Sequence, residues 1–110
     1  GLEMEQESSP VVVLVTASSQ QEARAIARAL VTQKLAACVN TFPVQSTYTW
    51  EGAVQQEEEW QMVIKTDLVR WDELSQAIQA LHSYDVPELI ALPIMRGSEA
   101  YLSWLASSIQ

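Results

Sequence analysis

One histidine, one cysteine and three methionines are the imidazole and sulfur groups this chain offers to a metal. His82 stands in the run LHSYDVPELIALPI and Cys38 in QKLAACVN, and neither belongs to a C-x-x-C or H-x-x-x-H pattern. A closed zinc site takes about four ligands, mostly thiolate and imidazole. Copper(I) favours thiolate and thioether, and copper(II) favours imidazole with oxygen. One chain cannot assemble such a site from neighbouring residues. A three-fold assembly can bring copies of one residue together, or set His82 beside a neighbour's carboxylates. The metal reading is therefore a weak, open divalent site containing His82, with Cys38 as a soft ligand and no cofactor required. Each residue also has a plainer employment. His82 follows Leu81 at the end of an apolar helical stripe, where a donor complements the last carbonyls. Cys38 shares a face with Phe42, and a buried free cysteine behaves as a small hydrophobe.

The remaining polar candidates are carboxylates and cations. Glu57-Glu58-Glu59 reads as a solvated charge run. Glu59 is the exception, as a partner for Lys65 or for a basic group across a subunit boundary, either as an ion pair or as a clamp on a small ligand. Tyr84 and Glu88 flank the Val86-Pro87 reversal that returns the chain towards His82. No serine, cysteine or threonine has an evident base partner, so enzymatic chemistry is not expected. Net charge is −8, from 14 acidic and 6 basic residues. That balance excludes a nucleic-acid binder, which needs a Lys/Arg footprint. A lone cysteine fits a reducing compartment, so the cytoplasm is expected. No apolar run approaches the roughly 20 residues that span a bilayer. The start, GLEMEQESS, lacks a signal-peptide layout, and Gly1 to Glu3 before Met4 reads as a cloning scar. Residues 1–9 are expected to be a disordered tail and residues 10–110 a single domain.

These candidates need elements to position them. VVVLVTA (11–17) is a β-branched run, as for a strand buried on both faces. Ser19 and Glu22 form a capping box, and Ala23, Ile26, Ala27 and Leu30 then recur at helical spacing to about Lys34. From Ala36 to Trp50 the chain alternates, with Cys38, Phe42, Val44, Tyr48 and Trp50 on one face. Glu51-Gly52 makes the turn. The return strand, 53–65, puts Trp60, Met62 and Ile64 on one side. A second helix from Thr66 or Asp67 carries Trp71, Leu74, Ile78 and Leu81 as core residues. LIALPIM (89–95) is a fourth strand. Gly97-Ser98 opens a terminal helix with Tyr101, Leu102, Leu105 and Ile109.

The order βαββαβ plus a helix is an α+β, ferredoxin-like sandwich. Right-handed crossovers then place the first and third strands centrally. Proline is confined to sheet edges or bulges, and Pro43 and Pro93 fall in the second and fourth strands, as that order requires. The middle hairpin has arms of about 13 residues, against a usual 5–6. Helices of about 14–16 residues cannot cover it. Tyr48, Trp50 and Trp60 along it therefore mark an oligomer interface. The other use of such a ribbon is to fold over its own sheet.

Taken in order, VVVLVTA, QKLAACVN, STYTWEGAVQQEEEWQMVIKT, SYDVPELIALPI and YLSWL resemble the CutA family of divalent-cation tolerance proteins, across nearly the whole chain from Val11. The resemblance implies a homotrimer of ferredoxin-like subunits, architecturally similar to the PII nitrogen-signalling proteins. It also implies a role in tolerance of divalent cations, with copper the favoured ion. Of the family's motif positions, this chain keeps Cys38, Glu59, Lys65, His82, Tyr84 and Glu88. Some bacterial members carry a cysteine where Val15 stands, and a His-His-Pro-Tyr run where this chain reads Leu81-His82-Ser83-Tyr84, so two of their ligands are missing. Two alternatives from other classes stand beside this reading. One is a PII-like sensor of a small anionic metabolite, using Lys65, Arg70 and Arg96. The other is a stable trimeric scaffold with an indirect metal phenotype.

Overall fold

A computed structural model describes residues 8–110. The elements run β1 (Pro10–Ala17), α1 (Gln20–Thr32), β2 (Cys38–Trp50), β3 (Ala53–Asp67), a 3-10 turn (Leu68–Arg70), α2 (Trp71–Leu81), β4 (Ile90–Pro93) and α3 (Glu99–Ser108). The four strands form one antiparallel sheet in the order β2-β3-β1-β4. β1 and β3 are central, and β2 and β4, with Pro43 and Pro93 inside them, lie at the edges as proline's missing donor demands, while Pro10 is only the first residue of β1. Ser8 and Ser9, expected within the tail, fall among the described residues. Ser8 Oγ and Ser9 N–H donate to the Asp67 carboxylate at 2.7 and 3.0 Å, and residues 1–7, scar included, lie outside the described residues.

Local chemistry sets the boundaries. Ser19 caps α1 by accepting the Glu22 N–H at 3.1 Å. At the other end Leu35 N–H reaches the Leu30 carbonyl and Lys34 N–H the Val31 carbonyl, with Lys34 at φ 60°. That is a Schellman closure with lysine where glycine is usual. β3 continues to Asp67, which accepts from Val69 N–H and opens the 3-10 turn, so α2 begins at Trp71, later than the sequence suggests. β4 keeps only four of its expected residues, although Ile94 N–H still reaches the Pro10 carbonyl at 3.1 Å. In the hairpin, Glu51 at φ 49° and Gly52 at φ 80° give two successive left-handed residues between the paired Trp50 and Ala53. This is the conformation a two-residue hairpin loop requires.

α1 and α2 cover one face of the sheet. Val11, Val13, Val15 and Ala17 of β1 and Met62 and Ile64 of β3 pack there with Ile26, Leu30, Leu74 and Ile78. The register places Val12, Leu14, Thr16, Ile90, Leu92, Gln61, Val63, Cys38, Phe42 and Val44 on the other face, away from α1 and α2. β1 is thus buried on one face only, and its alternate residues remain half-buried. Two further expectations change. Leu81 is 47% exposed because α2 ends there, so it is not core. Trp60 lies on the helix-covered face against the core, opposite to Tyr48 and Trp50, because it pairs with Ala17 and Pro43. Beyond Trp60 the return arm pairs with β2 alone, so its first seven residues and their β2 partners project as a two-stranded ribbon.

Candidate functional site

The end of β1, the N-terminus of α1 and the chain leaving α2 meet at one end of the sheet, and His82 stands at their junction. Its backbone N–H closes α2 on the Ile78 carbonyl at 2.9 Å. The ring does not turn to the last helical carbonyls. Nε2–H donates to the Thr16 carbonyl at 2.7 Å, and Nδ1 accepts the Tyr84 backbone N–H at 3.0 Å. These two bonds fix the tautomer with the proton on Nε2. His82 is 8% exposed and both of its nitrogens are occupied.

The Tyr84 ring lies 4.7 Å from the imidazole between centroids. Its hydroxyl donates to Glu59 Oε2 on β3 at 2.8 Å. Burial and this bond to a carboxylate push the Tyr84 phenol above its ordinary range. Glu59 is 7% exposed, so the phenol satisfies a carboxylate that would otherwise be buried without a partner. Gln61 donates to the Val15 carbonyl at 3.0 Å and reaches Glu88 at 3.5 Å. Glu22 closes the other flank. It accepts from Ser18 N–H at 2.9 Å and Ser18 Oγ at 3.0 Å, and from Ser83 N–H at 2.9 Å. Burial alone would raise the Glu22 carboxyl, but the hydrogen bonds from Ser18 and Ser83 outweigh it and bring it down to about 2.

The structure thus brings His82, Tyr84, Glu59 and Glu88 to one end of the sheet. Lys65 and Cys38 face each other in register at the opposite end. Lys65 Nζ donates to Asn40 Oδ1 at 2.8 Å, and Cys38 Sγ lies 3.9 Å from the same oxygen. Glu59 and Lys65 share a strand face but stand six residues apart, roughly 20 Å along β3, so they do not pair within the chain. Cys38 is half-exposed and its thiol is free. Among the described residues no group of three or more His, Cys, Asp or Glu side chains converges to hold a metal ion.

Thr16, Glu22 and Gln61 belong to the network and were not singled out from the sequence. Glu22 carried a signal, as the acidic member of the capping box. Its carboxylate, however, returns to Ser18 and crosses to Ser83 instead of reaching Ser19. Tyr48 and Trp50 stand on the projecting ribbon, Trp50 at 62% exposure.

The model of the CutA1 divalent ion tolerance protein family matches residues 11–108. The divalent-cation tolerance protein CutA of Thermus thermophilus is 46% identical over 95 residues, 86% of this chain and 92% of that one. The chloroplastic protein CutA of Arabidopsis thaliana is 44% identical over 111 residues, with 97% of this chain covered. This chain spans only 61% of that plant relative's length. Among solved structures, the periplasmic divalent cation tolerance protein CutA of Archaeoglobus fulgidus superposes with a TM-score of 0.90 at 38% identity, over 92% of this chain and 99% of that one. No helix among the described residues is long and apolar enough to cross a membrane. With sequence and fold in agreement over nearly the whole domain, this chain belongs to the CutA1 divalent ion tolerance family.

Proposed function

We propose that this chain acts in tolerance of divalent metal ions as a homotrimer of ferredoxin-like subunits, without catalysis, making a weak and direct contact with copper. The observation that carries the assembly is the face of the sheet turned away from α1 and α2. Phe42, Ile90 and Leu92 are 43, 48 and 47% exposed there, beside half-buried Val12, Leu14, Val44 and Val63. A contiguous apolar surface of this kind marks an association site. Tyr48 and Trp50 extend the same face onto the ribbon.

For copper the side chains are unequal. Cys38 offers a half-exposed soft sulfur on that face, and three-fold assembly would multiply it. His82 binds a metal only by giving up its bond to Thr16 or to Tyr84. Glu59, Tyr84 and Glu88 are the oxygen groups nearest to it. This arrangement favours low affinity. The lone cysteine supports the cytoplasm as the working compartment, although relatives carry chloroplastic and periplasmic names.

The test is light scattering of the purified protein together with calorimetric titration of Cu²⁺ and Zn²⁺. The expected mass is three times the 12.3 kDa chain, with saturable copper uptake that weakens in Cys38→Ser. A trimer without saturable uptake would overturn direct binding and favour a scaffold with an indirect metal phenotype.

A further inference from the structure

Charge is segregated along this acidic chain. Arg24, Arg28 and Lys34, three of its six cations, belong to α1 and its C-terminal turn. Two of the other three are occupied. Lys65 donates to Asn40, and Arg70 donates to the Ile109 carbonyl and pairs with Glu73 at 3.4 Å. Arg96 stands exposed before α3. Arg24 and Arg28 make no hydrogen bond or ion pair among the described residues. They stand four apart on α1, a like-charge spacing that destabilises an isolated helix.

Both arginines line an open groove of about 470 Å³ between α1 and β2, and Ala25, Ala27, Val39 and Thr41 complete its wall. That volume falls within the range of small-ligand pockets, about 300–1,000 Å³. No carboxylate lines the groove. Glu22, the one acidic residue of α1, is turned to Ser18 and Ser83. On the sheet, Val39 and Thr41 pair with Ile64 and Met62. The first carboxylate on that face of the two strands is Glu58, opposite Gln45, four residues beyond Thr41 and so about 13 Å along the strand. The groove is therefore a local positive field on a chain of net charge −8.

We infer that the Arg24–Arg28 groove is a binding site for a phosphate monoester with a small apolar body. Residues four apart on a helix have Cβ atoms about 5–6 Å apart, so both guanidinium groups can reach one head group. A phosphoryl head carries about −1.5 to −2 at pH 7 and three acceptor oxygens. Two planar forks and the Thr41 hydroxyl can satisfy those oxygens together. A single carboxylate would engage one fork and leave the second arginine without a partner. Ala25, Ala27 and Val39 present carbon to the ligand, which suits its apolar part. The groove shares no residue with the His82 network, and Cys38 faces the other side of the sheet. The site is therefore independent of the copper contact proposed above.

The test titrates the purified full-length protein, in whatever assembly it adopts, with phenyl phosphate, inorganic phosphate and succinate at low salt. Calorimetry gives the affinities, and thermal unfolding checks them, because a ligand of the native state raises the midpoint by mass action. Arg24→Gln/Arg28→Gln removes the two forks, and Arg96→Gln controls for the loss of a positive charge elsewhere. Circular dichroism checks that each variant is folded. Phenyl phosphate is expected to bind the wild type saturably and at least tenfold more tightly than succinate or inorganic phosphate. Its affinity should fall at least tenfold in Arg24→Gln/Arg28→Gln and stay unchanged in Arg96→Gln. Absence of saturable phenyl phosphate binding would overturn the inference, as would binding that survives in Arg24→Gln/Arg28→Gln. If inorganic phosphate binds as tightly as phenyl phosphate, the groove holds an adventitious ion only. If succinate does so, the groove reads charge without regard to a phosphoryl head, and the inference is again overturned.

Discussion

The two ends of the part of the sheet that contains β1 hold the residues with most chemical promise, and they are employed in opposite ways. At the Glu59 end, His82, Tyr84, Glu59 and Glu22 give each hydrogen-bonding group a partner, and the histidine and Glu59 are buried. At the Lys65 end, roughly 20 Å away along the strand, Cys38 keeps a free, half-exposed sulfur beside one amide. The single histidine, the most obvious ligand by type, is the less available of the pair. Availability is decided by the second partner of an atom, not by residue type.

Breaking the closed end should cost most. His82→Ala removes two hydrogen bonds and leaves the Thr16 carbonyl and the Tyr84 N–H without partners. We expect a loss of about 2–3 kcal/mol in urea unfolding. A loss below about 1 kcal/mol would mean that the ring is not the joint between α2 and β1. Tyr84→Phe should cost about 1–2 kcal/mol, because Glu59 then keeps a buried carboxylate without its donor. Its effect should be largest below the ordinary phenol range, where the hydroxyl still carries its proton. Glu59→Gln in the Tyr84→Phe background should recover part of the loss, which a double-mutant cycle would read.

Acid sharpens the contrast next. The Glu22 carboxyl is held below its ordinary value near 4.5, at about 2. Its contribution is therefore present in full above about 4.5 and is lost as the pH falls towards 2. Glu22→Gln should lower stability at neutral pH and flatten the acid limb of the stability profile, and an unchanged acid limb would remove Glu22 from the network. Least of all, Cys38→Ser at the open end should stay within about 0.5 kcal/mol of wild type in stability. Its effect should appear in the copper titration alone.

Features with a local cause were legible in the sequence. Ser19 announces the start of α1, Glu51-Gly52 the hairpin turn, and Pro43 and Pro93 the edge strands, because each acts within a few residues of itself. The network had no such cause. His82 meets Thr16 across 66 residues, and Glu22 meets Ser83 across 61. Only the packing of α1 and α2 on one sheet creates those neighbours. Two misplacements had readable physics. Strand rise alone separates Glu59 from Lys65, and strand parity alone sends Trp60 to the face opposite Tyr48. The exposure of Leu81 was less legible, since an apolar stripe does not declare its last turn.

The unequal reach of the strand pairings has a consequence for how the chain acquires its structure. β2 and β3 are joined by a two-residue turn, so their ladder can zip outward from Glu51-Gly52 without closing a long loop. The central strand has no such advantage. Val13 must find Ile64, 51 positions on, and Ala91, 78 positions on. Loop-closure entropy is met before those contacts reward it. The hairpin should therefore form on the microsecond scale of isolated hairpins, well ahead of β1 insertion. During that interval its apolar edge is open to any other chain nearby. Crowded refolding is then the condition in which this ribbon is most exposed to mispairing, and the charges on its return arm, with proline on its outer strand, are the groups placed to oppose it.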